Sequence, residues 1–149
     1  MTAPLPPLGR PDWMGLLARA APARLAALLP ADLPPHSLLR PPEVGAVMVR
    51  GRTGATGAPF NLGEMTVTRC SLRLTTGEVG HAHVQGRDKG HALRAALVDA
   101  AMQGPQAASI ARDVLAPLAE AEAAARRLRA EKAAATRVEF FTLVRGEDQ

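Results

Sequence analysis

The stretch from Gly77 to Ala101 constrains the fold more than any other part of the chain. Val79, His81, His83 and Gln85 share one parity, and Gly80, Ala82 and Val84 share the other. Strand side chains alternate between faces, so this reads as a strand with one polar and one small apolar face. Gly86 ends the alternation and the period changes. Ala92, Leu93, Ala96, Leu97, Ala100 and Ala101 follow at helical spacing, behind an Asp88 placed to cap the helix. The expected elements are a strand over 78–85 and a helix over 88–103, stopped by Gly104-Pro105. Polar groups crowd the junction between them, where α/β proteins often place ligand contacts.

Upstream, Trp13, Leu16, Leu17, Ala20, Leu25 and Leu28 predict an amphipathic helix over 12–29, with a kink at Pro22. Residues 1–10 read as a flexible arm. Five prolines between Pro30 and Pro42 predict an irregular connector. A first strand is expected over 44–52 and a second over 64–75, joined by a glycine-rich loop over 51–63. The apolar parity of the second strand switches midway, from Met65 and Val67 to Cys70, Leu72 and Leu74. A bulge near Thr68–Arg69, or burial on both faces, would explain the switch. Thr76-Gly77 reads as a hairpin turn.

Downstream, a short helix is expected over 106–114, a break at Pro117, and a long alanine-rich helix over 118–134. Its acids come early and its bases late, matching the helix dipole. Residues 136–145 then read as a last strand. Val138, Phe140 and Val144 lie on one side and Phe141 and Leu143 on the other, so this strand is either central or meets another chain.

With 149 residues the chain predicts a single domain spanning 1–149. Hydrophobic residues make up 47% of it but aromatics only 3%, so alanine and leucine must fill the core. Such side chains bury little area each, and a partner surface would help stability. The net charge of +4 permits anionic partners without requiring them. One cysteine, Cys70, rules out an intrachain disulfide. The proline-bearing N-terminus has no signal-peptide pattern, and no run suits a membrane span. A cytoplasmic location is therefore expected.

His81-x-His83 on one strand face can ligate a transition metal, but no cysteine or carboxylate stands at a confirming spacing, so no metal is expected. The glycine-rich loop lacks the Gly-Lys-Ser/Thr of a Walker A loop and the following helix of a dinucleotide fingerprint. It can still direct backbone amides at phosphate, or be a plain hairpin connection. Arg50, Arg52, Arg69, Arg73 and Arg87 can assemble an anion site if the strands form a meander. They can equally pair with Glu64, Glu78 and Asp88 or with a partner chain. No catalytic residue can be chosen on spacing. Two classes stay open on the residues alone: a histidine-dependent metal phosphohydrolase and a basic nucleic-acid-binding module. The lack of aromatic stacking platforms argues against a single-strand RNA reader.

Three stretches carry a family likeness: residues 47–70, from Val47 through Gly51-Arg-Thr-Gly-Ala-Thr-Gly-Ala-Pro-Phe-Asn-Leu-Gly63 to Cys70, then Gly86-Arg-Asp-Lys-Gly-His-Ala92, then 136–148. In order and spacing they resemble the small G subunit, the PhnG family, of the bacterial carbon–phosphorus lyase system. The resemblance implies a cytoplasmic core complex with H, I and J subunits, acting with an ATPase-like L subunit. It implies that a phosphonate such as methylphosphonate displaces the purine base of ATP or GTP, giving a ribose 1-phosphonate 5-triphosphate. MgATP or MgGTP would serve the complex, with no cofactor on this chain, no nucleic acid and no membrane. This chain would be an accessory subunit of that transferase, inactive alone. Family members often carry aromatics near the positions of His81 and His83, so that pair is not required as a metal or catalytic unit. His91, within Gly-Arg-Asp-x-x-His, fits the family pattern.

The expected architecture is a single α+β domain. An antiparallel sheet of about four strands carries helices largely on one face, with a long C-terminal helix before the last strand. The expected partner or anion contacts are Arg50, Arg52, Arg69, Arg87, Asp88, His91, Phe140 and Phe141.

Overall fold

A computed structural model describes residues 9–30 and 33–137. The expected last strand, with Phe140 and Phe141, lies outside the described residues, as do residues 1–8 of the expected arm. The elements run α1 (Arg10–Arg19), α2 (Pro22–Leu28), β1 (His36–Arg52), β2 (Pro59–Leu74), β3 (Val79–Gln85), α3 (Lys89–Ala101), α4 (Ala107–Ile110), a π turn (Ala111–Leu115) and α5 (Ala116–Ala135). Among the described residues the sheet has three strands, antiparallel in the order β1-β2-β3.

The α+β expectation holds, with the helices largely on one face. Cys70 pairs with Ala82 and Leu72 with Gly80, so these side chains share the face that α3 covers. Leu16, Leu17, Leu25, Ala92, Ala96, Val98, Leu115 and Leu118 complete the core. The packing is close because its facing residues are small. A Cβ on Gly80 would fall inside the backbone of α3, against the Ala96 carbonyl oxygen and 2.7 Å from the Ala100 nitrogen. Gly86 ends β3 at φ 93°, a conformation that favours glycine.

Several boundaries differ from the sequence expectation, each for a local reason. The helix expected over 12–29 is two helices, because Ala20 and Ala21 are extended (ψ 145° and 126°) before Pro22. A residue preceding proline is driven out of helical geometry. The proline connector is shorter than expected, since β1 already begins at His36 and contains Pro41 and Pro42. Among the described residues β1 is an edge strand, where a missing N–H costs no ladder bond on the open side, and the register slips between Arg40 and Glu43. The glycine-rich loop is mostly strand: pairing runs out to Arg52 and resumes at Pro59. The β2–β3 register runs unbroken from Val67 to Arg73. The parity switch there comes from burial on both faces, with Val67 and Thr68 both buried; the bulges lie in β1 between Leu38 and Glu43, and in β2 at Leu62. Pro117 does not break the helix, because the π turn precedes it and places it in the first turn of α5.

The β1–β2 hairpin extends beyond β3, since β3 pairs only with residues 67–73 of β2. The remaining two-stranded arm exposes Met48, Phe60 and Leu62. Along α5 every residue after Glu122 is exposed.

Candidate functional site

The β3–α3 junction forms as the sequence implies. Asp88 is the N-cap of α3, its Oδ1 accepting from the His91 N–H at 2.8 Å. The His91 ring turns inward, is buried, and bonds through Nε2 to the Leu17 carbonyl of α1 at 2.8 Å. A carbonyl only accepts, so Nε2 carries a proton and that nitrogen serves neither as base nor as metal ligand. His91 thus ties the start of α3 to α1. Asp88→Ala is expected to cost about 1 kcal/mol in urea denaturation, the usual cost of losing a cap.

His81 and His83 lie on the exposed face of β3. The register sets Glu43, Arg69 and His83 side by side across the three strands, with Ser71 beside His81. Ser71 Oγ and His81 Nδ1 are 2.9 Å apart. The guanidinium of Arg69 reaches over Gly45, and its Nε is buried with no hydrogen-bond partner among the described residues. Arg73 follows on the same face of β2. This sheet face is therefore polar and carries histidine and arginine. Among the described residues no three histidine, cysteine or carboxylate side chains gather as a metal site.

The arginines that could assemble an anion site do not form one cluster. Arg69 sits opposite Glu43, whereas Arg50 lies seven residues further along β1, or roughly 23 Å at strand rise. Arg52 is near the arm tip, donating through Nη1 to the Gly57 carbonyl at 3.1 Å. Arg87 is exposed in the loop before α3. The glycine-rich segment, with Arg52 in it and Arg50 just before it, belongs to the arm beyond β3. Cys70 is buried among apolar neighbours, which push its thiol pKa up, so it fits a core residue better than a nucleophile.

A groove of about 540 Å³ runs between the arm and the α1–α2 junction. Val47, Met65 and Val67 form one wall and Ala18, Ala20 and Pro22 the other, with His83, Gln85 and His91 along its floor. It brings His83 and His91 to one place, which their sequence separation did not indicate.

One polar centre escaped sequence reasoning altogether. Asp99 of α3 is fully buried. Its Oδ1 accepts from Arg10 Nε at 3.1 Å and Trp13 Nε1 at 2.9 Å. Its Oδ2 accepts from Arg10 Nη2 at 2.7 Å and the His81 backbone N–H at 2.8 Å. Arg10 Nη2 and Gln103 Nε2 also donate to the Val79 carbonyl, at 3.1 and 2.8 Å. The hydrogen bond to Asp99 raises the Arg10 pKa above its ordinary value, against burial, which lowers it. The centre fastens α1 and α3 to the outer edge of β3. The signal available in sequence was a lone acid inside the run Ala-Ala-Leu-Val-Asp-Ala-Ala.

Fold and surface together define a small α+β domain braced inside by Arg10 and Asp99, with a hairpin arm that exposes apolar side chains among the described residues. The chain belongs to the family described as phosphonate metabolism protein PhnG, whose model matches residues 9–146. It is 47% identical over 141 residues to the alpha-D-ribose 1-methylphosphonate 5-triphosphate synthase subunit PhnG of Rhizobium meliloti (strain 1021), covering 93% of this chain and 90% of that protein. No described helix is long and apolar enough to cross a membrane.

Proposed function

We propose that this chain is an accessory subunit of a cytoplasmic complex that transfers ribose 5-triphosphate from ATP or GTP to methylphosphonate in phosphonate catabolism. In that reaction the bond from the anomeric carbon to the purine nitrogen breaks. A phosphonate oxygen takes its place on that carbon, and the free base leaves. The I subunit carries this chemistry, the H and J subunits complete the core, and the L subunit acts with it. MgATP or MgGTP belongs to the complex rather than to this chain.

The observation that carries the reading is the free hairpin arm. Met48 is 53%, Leu62 67% and Phe60 43% exposed. Met48 lies on one face of the arm and Phe60, opposite Gly51, on the other, so both faces carry exposed apolar side chains, which suits insertion into a neighbouring chain. Arg50 and Arg52 would rim that contact, and the Arg69–His83 face with Arg87 would offer charge to an acidic partner surface. Asp88 and His91 act beneath it by holding the β3–α3 loop in place.

The test is growth on methylphosphonate as sole phosphorus source in a host lacking its own G subunit. The Met48→Asp/Leu62→Asp chain is expected to keep its circular dichroism and melting temperature. Each new charge at a desolvated contact costs several kcal/mol, so association should weaken by about a hundredfold or more and growth should fail. Normal growth of the double variant would overturn the arm assignment.

A further inference from the structure

The outer edge of β3 is only half covered. Gly86 N–H bonds the Thr66 carbonyl and Leu74 N–H the Glu78 carbonyl, each at 2.9 Å. In an antiparallel ladder this alternation turns the backbone groups of residues 79, 81, 83 and 85 outward. The Val79 carbonyl and the His81 N–H are taken by Arg10, Gln103 and Asp99. Beyond them, no strand among the described residues pairs outside His83 and Gln85. A cavity of about 180 Å³ separates α1 from the edge at His81–His83, and the 540 Å³ apolar groove continues it past Gln85.

The chain holds one sequence suited to that place. α5 leaves from the same side: Arg19 and Ala20 line both the groove and a second cavity, of about 350 Å³, whose far wall is α5 as far as Arg129. Arg19 Nε also donates to Glu122 Oε1 of α5 at 2.8 Å. From Arg129 to Ala135 the helix advances only about 9 Å. Of the residues beyond it, Phe140 and Phe141 come five and six after Ala135, a span of up to about 18–22 Å. Phe140 and Phe141 are adjacent, so in extended backbone they point to opposite faces, and one enters the groove in either register.

We propose that the chain's own C-terminal segment, 138–145, adds to the outer edge of β3 at His83 and Gln85 and seats one of the two phenylalanines between the hairpin arm and the α1–α2 junction. The edge is blocked at Val79 and His81, so the pairing is short and the aromatic supplies the anchor. It makes a fourth strand beside β3 and fills a groove that has no aromatic of its own.

Hydrogen exchange on the full chain tests this. In Phe140→Ala/Phe141→Ala the amides of His83 and Gln85 should exchange about tenfold faster than in the unsubstituted chain, the factor expected for losing about one net hydrogen bond. The amides of Ala82 and Val84, which pair inward, should not change. The protection should also be independent of protein concentration. As a second readout, Val47→Cys is combined with Phe140→Cys or with Phe141→Cys in a Cys70→Ser chain and treated with a short bis-maleimide. One of the two pairs should cross-link within a single molecule. Three outcomes overturn the proposal: unchanged exchange with no cross-link, cross-links only between molecules, or protection that arises only when other subunits are added.

Discussion

Asp99→Ala is expected to lower the stability of the chain by about 2–6 kcal/mol, from two part-buried donors left unsatisfied at about 1–3 kcal/mol each. The reason lies in how many groups depend on one carboxylate. Arg10, Trp13 and the His81 N–H all donate to it, and Asp99 is itself fully buried. Alanine leaves the indole and the β3 amide without an acceptor. Arg10 is 39% exposed at its side chain, so it can turn to water and recovers part of its loss. The damage therefore falls on the seam between α1 and β3. Asp99→Asn keeps an acceptor oxygen but places an N–H against a donor, so its stability should fall between that of the alanine variant and that of the unsubstituted chain. Urea denaturation followed by circular dichroism measures both. A loss under 1 kcal/mol for alanine would mean that the centre does not brace the fold.

Gly80→Ala should be as severe, at about 3 kcal/mol or more, for a steric reason. The added Cβ meets backbone atoms of α3, the Ala96 carbonyl oxygen and the Ala100 nitrogen. A flexible side chain could move aside, but a helix backbone can only shift as a body, away from Cys70, Leu72 and Val84. Overpacking in a tight core costs about 1–3 kcal/mol, and contact with backbone puts this site at the top of that range. His81→Ala, one residue along and exposed, is the control and should stay within about 0.5 kcal/mol. Equal losses at both positions would contradict the close helix–strand approach. If the two large effects hold, they divide the labour in this region. Gly80 sets the distance between β3 and α3, and Asp99 sets how α1 closes over their edge.

Much of this was legible because it is local. The alternation of Val79–Gln85, the Asp88 cap and the alanine-rich α3 each follow from neighbours within a few residues. Burial then takes the Ala82 parity because that side is small and apolar. The errors cluster where a local rule met a distant partner. Pro41 and Pro42 argue against a strand until β2 pairs along one side of β1 and leaves the other side open. Gly51 and Gly63 read as loop, yet both lie within the paired arm. Pro117 reads as a break until the π turn ahead of it absorbs the missing donor. The site was less legible than the fold. Asp88 is legible as the cap of α3, but nothing in the spacing says that His91 reaches Leu17, 74 residues away. Arg50 and Arg69 look like parts of one cluster in sequence, and strand rise separates them.

The central claim is that this chain works as part of an assembly, and co-expression with the I, H and J subunits tests it most directly. Size-exclusion chromatography with mass analysis should show this chain eluting with the I subunit in a stable complex. The Met48→Asp/Leu62→Asp chain, still folded, should elute alone. A well-folded, unsubstituted chain that elutes alone beside those partners would contradict the account.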